Sequence, residues 1–167
     1  MAKEEYLSKI PNNPKLAELE PSDFILKYII KLLHDLSLFV ELDVTIGEIQ
    51  LAHSYAAGHE LMQKIIGIPS AFTGIDGDAN VLVQFAEKYS HTPINTYDIM
   101  AKDAIIDFMN LHNGLFVVDL SKEDAIELSL DPPIHEDVDF ELALGHVATI
   151  PVKFTFGELV FFLIELD

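Results

Sequence analysis

Cysteine is absent from the 167-residue chain, which excludes disulfide bridges and thiolate metal sites. No apolar run reaches the roughly 18 residues that are needed to cross a bilayer. The first eight residues, M-A-K-E-E-Y-L-S, lack the basic-then-apolar order of a signal peptide. We therefore expect a cytoplasmic protein that does not span a membrane.

Basic side chains are scarce: 10 Lys and Arg stand against 28 Asp and Glu, which gives a net charge of −18. Such a surface repels phosphate backbones and anionic lipid, so neither nucleic acid nor membrane is expected as a partner. An acidic surface also keeps a protein soluble, so charge alone does not decide the function. Half of the residues are hydrophobic, which suits one well-packed domain of this length.

The usual signatures of a self-contained enzyme are also missing. There is no G-x-S-x-G elbow, no P-loop and no G-x-G-x-x-G turn. A hydrolase with its own nucleophile, or a nucleotide enzyme, therefore has little support.

The order of elements predicts an α+β fold, in which helices pack on an antiparallel β-sheet. Residues 1–20 mix charges with prolines and are expected to form a loosely attached N-terminal arm, and residues 21–167 a single domain. Ser22 is a candidate N-cap for a buried helix over 24–36. The elements expected before the long helix are a strand at 44–53, a turn at 56–58, a strand at 59–72, a break at 73–77, and a helix capped by Asp76 or Asp78 that ends at 90–93. Those expected after it are a strand at 125–134, an acidic turn at 136–139, and strands at 140–155 and 159–166. The prolines of the strand at 125–134 indicate a sheet edge or a bulge.

The stretch 95–120 predicts one long helix, because its apolar residues recur at helical spacing. One side of this helix gathers Ala101, Ile105, Phe108, Met109, His112, Leu115 and Phe116. The opposite side carries Asp103, Asp107, Asn110 and Gly114. We expect the first side to be buried and the second to face outward as a line of two carboxylates, a carboxamide and bare backbone. By itself this line needs no function in so acidic a chain.

Possible metal sites have simpler explanations. Asp76, Asp78, Asn80 and Glu87 match ligand positions of a calcium loop, but Val81 replaces its glycine and the segment looks helical. His53, His59 and Glu60 surround the first predicted turn, and two histidines without a further ligand are usually surface residues. The acidic residues Glu136, Asp137, Asp139 and Glu141 are typical of a solvated turn. His112 is expected to be a core histidine, so the sequence predicts no metal site.

The segment from Asp103 to Gly114 resembles the signature of the CheC/CheX chemotaxis phosphatases. That signature is an Asp or Ser, three residues, a Glu, two residues and an Asn. Here it reads Asp103-A-I-I-Asp107-F-M-Asn110. The order of the surrounding elements over about residues 24–166 is similar as well, and the single motif is closest to the CheX type.

The resemblance implies a protein-aspartate phosphatase that binds a phosphorylated response regulator of the CheY type. The regulator would contribute the acyl phosphate and its magnesium ion, so the chain would need no cofactor of its own. Asn110 would orient the attacking water, and Asp107 would engage the regulator's active-site lysine. Asp103 would be a flanking position of the motif, and Gly114 would keep the helix face clear for close approach or packing. The resemblance also implies a possible homodimer.

Position 107 departs from the signature, because an aspartate stands where the family has glutamate. The side chain is shorter by one methylene, which removes roughly 1.5 Å of reach. Misplacement near 1 Å can cost roughly a hundredfold in rate. Three alternatives remain open: the helix docks closer, the lysine contact and the activity are weak, or the chain is a catalytically degenerate CheX-like binding or dimerisation module.

Overall fold

The computed structural model describes residues 3–52, 55–59, 61–124, 128–133, 138–142 and 146–166, without side chains at 55–59, 124 and 138–142. The helices are α1 (Lys3–Ser8), α2 (Asp23–Phe39), α3 (Ala79–Ser90) and α4 (Ile99–Asp124), with a 3₁₀ turn at Leu16–Leu19. The strands are β1 (Thr45–Ile46), β2 (Gln50–Ala52), β3 (Tyr55–His59), β4 (Met62–Ile66), β5 (Ser70–Gly77), β6 (Ser129–Leu130), β7 (Val138–Leu142), β8 (His146–Phe154) and β9 (Gly157–Leu166).

One antiparallel sheet organises these elements, in the order β1–β8–β9–β5–β4–β6, with β2 also paired to β8. Strands β3 and β7 pair with each other as a separate ribbon. Helices α3 and α4 contact each other, and they also contact strands β9 and β4 respectively. The predicted α+β class, with helices packed on an antiparallel sheet, is confirmed.

The sheet buries residues on both of its faces, as strands with period-two alternation can do. Ile65, Ile150 and Phe161 join the helices in the main hydrophobic core. Met62 and Phe162, with Val147 and Ile164, form a second buried cluster. Helix α4 therefore packs against a sheet that has buried residues on both of its faces.

Helix starts are set by local side chains. Ser22 accepts a hydrogen bond from the Ile25 amide and caps α2, and Asp78 accepts one from the Asn80 amide and caps α3. Both caps agree with the sequence-based expectations. Helix α4 begins at Ile99 rather than at residue 95, because the Asp98 carboxylate accepts the Ala101 amide at 3.1 Å and so caps the helix there.

The hairpin was predicted in the wrong place. Residues 56–58 form no turn but lie inside β3, where Gly58 pairs with Asp139. The predicted strand at 59–72 contains the real hairpin, whose turn lies between β4 and β5. Gly67 has φ = 150°, which favours glycine, and the Ser70 hydroxyl donates to the Gly67 carbonyl at 2.6 Å. A partner strand distant in sequence outweighed the local glycine signal at residue 58.

The predicted break at 73–77 is also wrong, because these residues complete β5 and pair with β9. Gly74 does not form a turn. A Cβ at this position would overlap the ring of Phe162, so the glycine allows that ring to lie across the strand.

The C-terminal third forms more strands than the sequence predicts. The predicted strand at 140–155 is divided into β7 and β8, and Asp139 belongs to β7 rather than to a turn. Glu136 and Asp137 lie outside the described residues. From the predicted strand at 125–134 the structure describes only β6, which is an edge strand followed by Pro132 and Pro133, as the prolines indicated.

Residues 3–20, which were expected to form a loosely attached arm, pack against the rest of the fold. Tyr6, Ile10 and Leu16 are buried in the main core. The Asn13 side chain donates to the Gly47 carbonyl at 2.9 Å and accepts the Ile49 amide at 2.7 Å. Separately, none of the described helices is long and apolar enough to cross a membrane.

Candidate functional site

Helix α4 divides into the two sides that its sequence predicts. Its inner side buries the core residues Ala101, Ile105, Phe108, Met109, His112 and Phe116, while Leu115 is half-buried. On the outer side Asp103, Asp107 and Asn110 are exposed. Gly114 is half-buried, and nothing lies within 4 Å of the position that a Cβ would take. The structure thus presents all four predicted residues in one line.

Asp107 is held by α3. The Tyr89 hydroxyl donates to Oδ2 of Asp107 at 2.6 Å, and the Tyr89 ring packs edge-on against Phe108, with the centroids 5.4 Å apart. Burial, and then the hydrogen bond to Asp107, raise the pKa of Tyr89, so the phenol stays protonated and donates. Within the described residues, neither Asp107 nor Asp103 has an ion-pair partner. One oxygen of Asp107 therefore stays available to a cation from outside.

Asp103 and Asp107 border an open groove between the first half of α4 and the C-terminal ends of α2 and α3. Leu38 and Phe39 line it from α2, and His91 lines it just beyond the end of α3. Leu38 is 63% exposed although it is apolar. The two carboxylates therefore border a partly apolar surface on the side of the site that faces α2.

The side chain of Asn110 is held by a hydrogen bond from Gln63 in β4. The Nε2 atom of Gln63 donates to Oδ1 of Asn110 at 2.8 Å and to the main-chain carbonyl of Asp131 at 3.0 Å. Gln63 is fully buried and accepts a hydrogen bond from Nδ2 of Asn113 at 2.8 Å. Asn113 also donates to Oγ1 of Thr73, which itself donates to the Gln63 carbonyl. The exposed amide of Asn110 is thus the outer end of a buried polar network.

A second buried polar group lies on the inner side of α4. His112 is 1% exposed, and its Nδ1 lies 2.7 Å from Oδ2 of the fully buried Asp35. Burial lowers the pKa of His112 even though Asp35 opposes this. Burial alone would raise the pKa of Asp35, but the contacts with His112, His34 and Lys31 outweigh it and lower that pKa. His112 is therefore the core histidine that was expected.

The proposed calcium-loop residues do not form a loop, because Asn80 and Glu87 lie in α3. His53 and Glu60 lie outside the described residues, and only the backbone of His59, in β3, is described. No three His, Asp or Glu side chains of the described ranges converge as metal ligands. Chemically, the exposed line offers a carboxylate that can bind a cation and an amide that can both donate and accept.

The supporting residues Gln63, Thr73, Asn113 and Tyr89 were missed in the sequence. Tyr89 belongs to the helix that was expected to end at 90–93, but its hydroxyl contact with Asp107 leaves no local signal. Gln63 did carry a signal, because it stands at a buried position of the apolar strand L-M-Q-K-I-I. A polar side chain at a core position needs hydrogen-bond partners, but the sequence does not say which.

No family model and no curated protein matches this sequence. Solved structures do match its fold. A CheC-like superfamily protein from Shewanella sp. PV-4 superposes with a TM-score of 0.71 at 16% identity, over 88% of this chain and 99% of that one. The chemotaxis protein CheX from Vibrio vulnificus gives 0.69 at 11% identity, over 86% and 99%.

The chain therefore has the CheC/CheX fold, as the motif and its surroundings predicted. A further structure of this fold is the CheX–CheY–BeF3–Mg²⁺ complex from Borrelia burgdorferi. It superposes with a TM-score of 0.62 at 12% identity, over 87% of this chain and 99% of that one.

Proposed function

We propose that this chain is a CheX-like phosphatase, which binds a phosphorylated CheY-type response regulator and promotes hydrolysis of its aspartyl phosphate. The observation that carries the proposal is the placement of Asp107 and Asn110. Both side chains are exposed on one face of α4, within a fold shared with CheX proteins. The Borrelia burgdorferi neighbour, solved as a complex with CheY, supports a regulator as the partner.

The reaction needs no nucleophile from this chain. A water oxygen bonds to phosphorus, the bond from phosphorus to the aspartyl oxygen breaks, and the products are inorganic phosphate and the regenerated carboxylate. The Asn110 amide can accept a hydrogen bond from this water while its NH₂ group donates one to a neighbouring oxygen, and so fix the water in line. Positioning of this kind lowers the barrier by removing the entropic cost of finding the geometry.

Asp107 is assigned the contact with the regulator's active-site lysine. Its Oδ2 is engaged by Tyr89, which leaves Oδ1 toward the partner. We propose that the regulator contributes the magnesium ion. Asp103 and Gly114 are assigned to the docking face, Asp103 at its rim and Gly114 where close approach is needed.

The runner-up is a binding or dimerisation module without phosphatase activity, and the observation that favours it is the short side chain at position 107. In either case we propose a cytoplasmic protein that can form a homodimer. Light scattering on the purified chain, with and without regulator, measures the dimer directly.

The first prediction concerns the two motif residues. Phosphorylated regulator should lose its phosphate faster with wild-type protein, and Asn110→Ala should remove most of this acceleration, by about a hundredfold or more, because the water is no longer oriented. The measurement is the decay of phosphorylated regulator at saturating protein, with regulator affinity determined in parallel.

Asp107→Glu is the matched variant, because it restores the glutamate of the signature. Activity only in Asp107→Glu would identify the natural chain as a degenerate member, and binding without acceleration in both would favour the docking module. Acceleration that survives in Asn110→Ala would contradict the proposed role of the amide.

A further inference from the structure

We infer that Gln63 is a positioning residue, which fixes how the Asn110 amide is presented to the partner. The inference rests on the proposed function, because it assigns a task to the contact beneath the proposed catalytic amide. Gln63 is fully buried, and its Nε2 lies 2.8 Å from Oδ1 of Asn110. Its side chain is not exposed to a partner, and of the three residues that it contacts, Asn110, Asn113 and Asp131, only Asn110 is assigned a part in the reaction.

The direction of the hydrogen bonds follows from two main-chain carbonyls, which can only accept. The first is the main-chain carbonyl of Gln63, which accepts a hydrogen bond from the Thr73 hydroxyl at 3.1 Å. Thr73 must then accept from Asn113, so Asn113 presents its NH₂ group. That NH₂ group also reaches the Gln63 side chain at 2.8 Å, which requires the oxygen of Gln63 there.

The second carbonyl is that of Asp131, 3.0 Å from Nε2 of Gln63. It requires the NH₂ group of Gln63 at the opposite end of the side-chain amide. Both ends of Gln63 are therefore assigned independently of Asn110. The NH₂ group that remains can only donate to Asn110, so Asn110 must turn its oxygen inward.

Asn110 is thereby presented in one of its two amide orientations, with Nδ2 outward and one lone pair of Oδ1 still free. No other described residue donates to or accepts from its Nδ2. An exposed asparagine without such support rotates between both orientations, and only part of its population would orient water correctly. Gln63 removes this loss before the partner arrives.

The second prediction follows from Gln63→Met, which keeps an unbranched side chain of similar length but cannot donate to Asn110. We expect kcat for regulator dephosphorylation to fall by about tenfold to a hundredfold, while KM changes less than about threefold. Thr73→Val is the matched control. It removes a hydroxyl from the same buried network but leaves the contacts of Gln63 with Asn110 and with the Asp131 carbonyl in place, so kcat should fall clearly less than in Gln63→Met.

A fall in kcat of the same size in Thr73→Val would reduce Gln63 to a structural role, and unchanged kcat in a folded Gln63→Met would overturn the inference. A measurement on the unmutated chain covers a Gln63→Met that does not fold. The side-chain NH₂ order parameter of Asn110 in ¹⁵N relaxation should be well above that of the exposed Asn95. Equal mobility of the two amides would overturn the inference, whether or not the chain has phosphatase activity. An inactive wild type with a rigid Asn110 amide would contradict only the proposed function.

Discussion

Asp107 is held by Tyr89 through one oxygen, and the proposed contact with the regulator's lysine would use the other. A carboxylate has two oxygens, and the Tyr89 hydroxyl donates a hydrogen bond to Oδ2 of Asp107 at 2.6 Å. The carboxylate is thereby held in one orientation although it is exposed. Aspartate is one methylene shorter than glutamate, so fewer of its rotamers could reach a partner. A carboxylate that is already held in one orientation does not lose binding to the other rotamers.

The third prediction is that Tyr89→Phe weakens regulator binding by about twofold to fivefold, because the exposed Asp107 carboxylate is then no longer held in one orientation. The phenylalanine keeps the edge-on contact with Phe108, so thermal stability should change little. Titration of the regulator followed by fluorescence or calorimetry measures the affinity. Tighter binding in Tyr89→Phe would show instead that Tyr89 competes with the partner for Asp107.

Among the elements, α4 carries the site because its inner side is anchored along its length. Buried residues from Ala101 to Leu120 hold the helix, while the outer line is left to solvent. Strand β4 adds the supporting amide from Gln63, and the last turn of α3 places Tyr89. Three elements thus converge on two exposed side chains, a rigid arrangement suited to positioning chemistry.

Gly114 is where the stability of α4 and its proposed function oppose each other. A glycine inside a helix costs roughly 1 kcal/mol relative to alanine, and a Cβ there would meet nothing within 4 Å. The fourth prediction is that Gly114→Ala raises Tm by about 2–4 °C but weakens regulator binding. Thermal unfolding and affinity, measured on the same preparations, test this. A stabilised variant with wild-type affinity would remove Gly114 from the docking face.

At the scale of the whole molecule, the pair of Asp35 and His112 couples stability to pH. His112 has a lowered pKa, so between that value and its ordinary value of about 6.5 the unfolded chain binds a proton that the folded chain does not. The free energy of unfolding therefore falls as pH drops through this window. Asp35 also has a lowered pKa, so it adds a loss of the same sign below about pH 3.9.

The fifth prediction uses His112→Asn, which can still donate to Asp35 but cannot titrate. Between pH 7 and pH 5 the free energy of unfolding, measured in urea, should fall less steeply in the variant than in wild type. The two slopes should differ by up to about 1.4 kcal/mol per pH unit. The variant should be less stable at pH 7, because it leaves space beside Phe108. Equal pH dependence of the two proteins would contradict the assignment.

Much of the fold could be predicted from residues close in sequence. The caps at Ser22 and Asp78, the edge strand before Pro132 and the two sides of α4 each depend on a few neighbouring positions. The strand pairing could not be predicted in this way. Gly58 and Gly74 lie in the segments expected as a turn and a break, yet each lies within a strand and pairs with a residue more than 80 positions away, Asp139 and Phe162 respectively.

The sequence by itself therefore determined the α+β class and the outward line from Asp103 to Gly114, because helical periodicity fixes which side chains share a face. Only the tertiary structure decided how that line is supported. The contact of Asn110 with Gln63 joins residues 47 positions apart, and that of Asp107 with Tyr89 joins residues 18 apart. No local pattern encodes such contacts, since they exist only after the sheet and the helices have packed together.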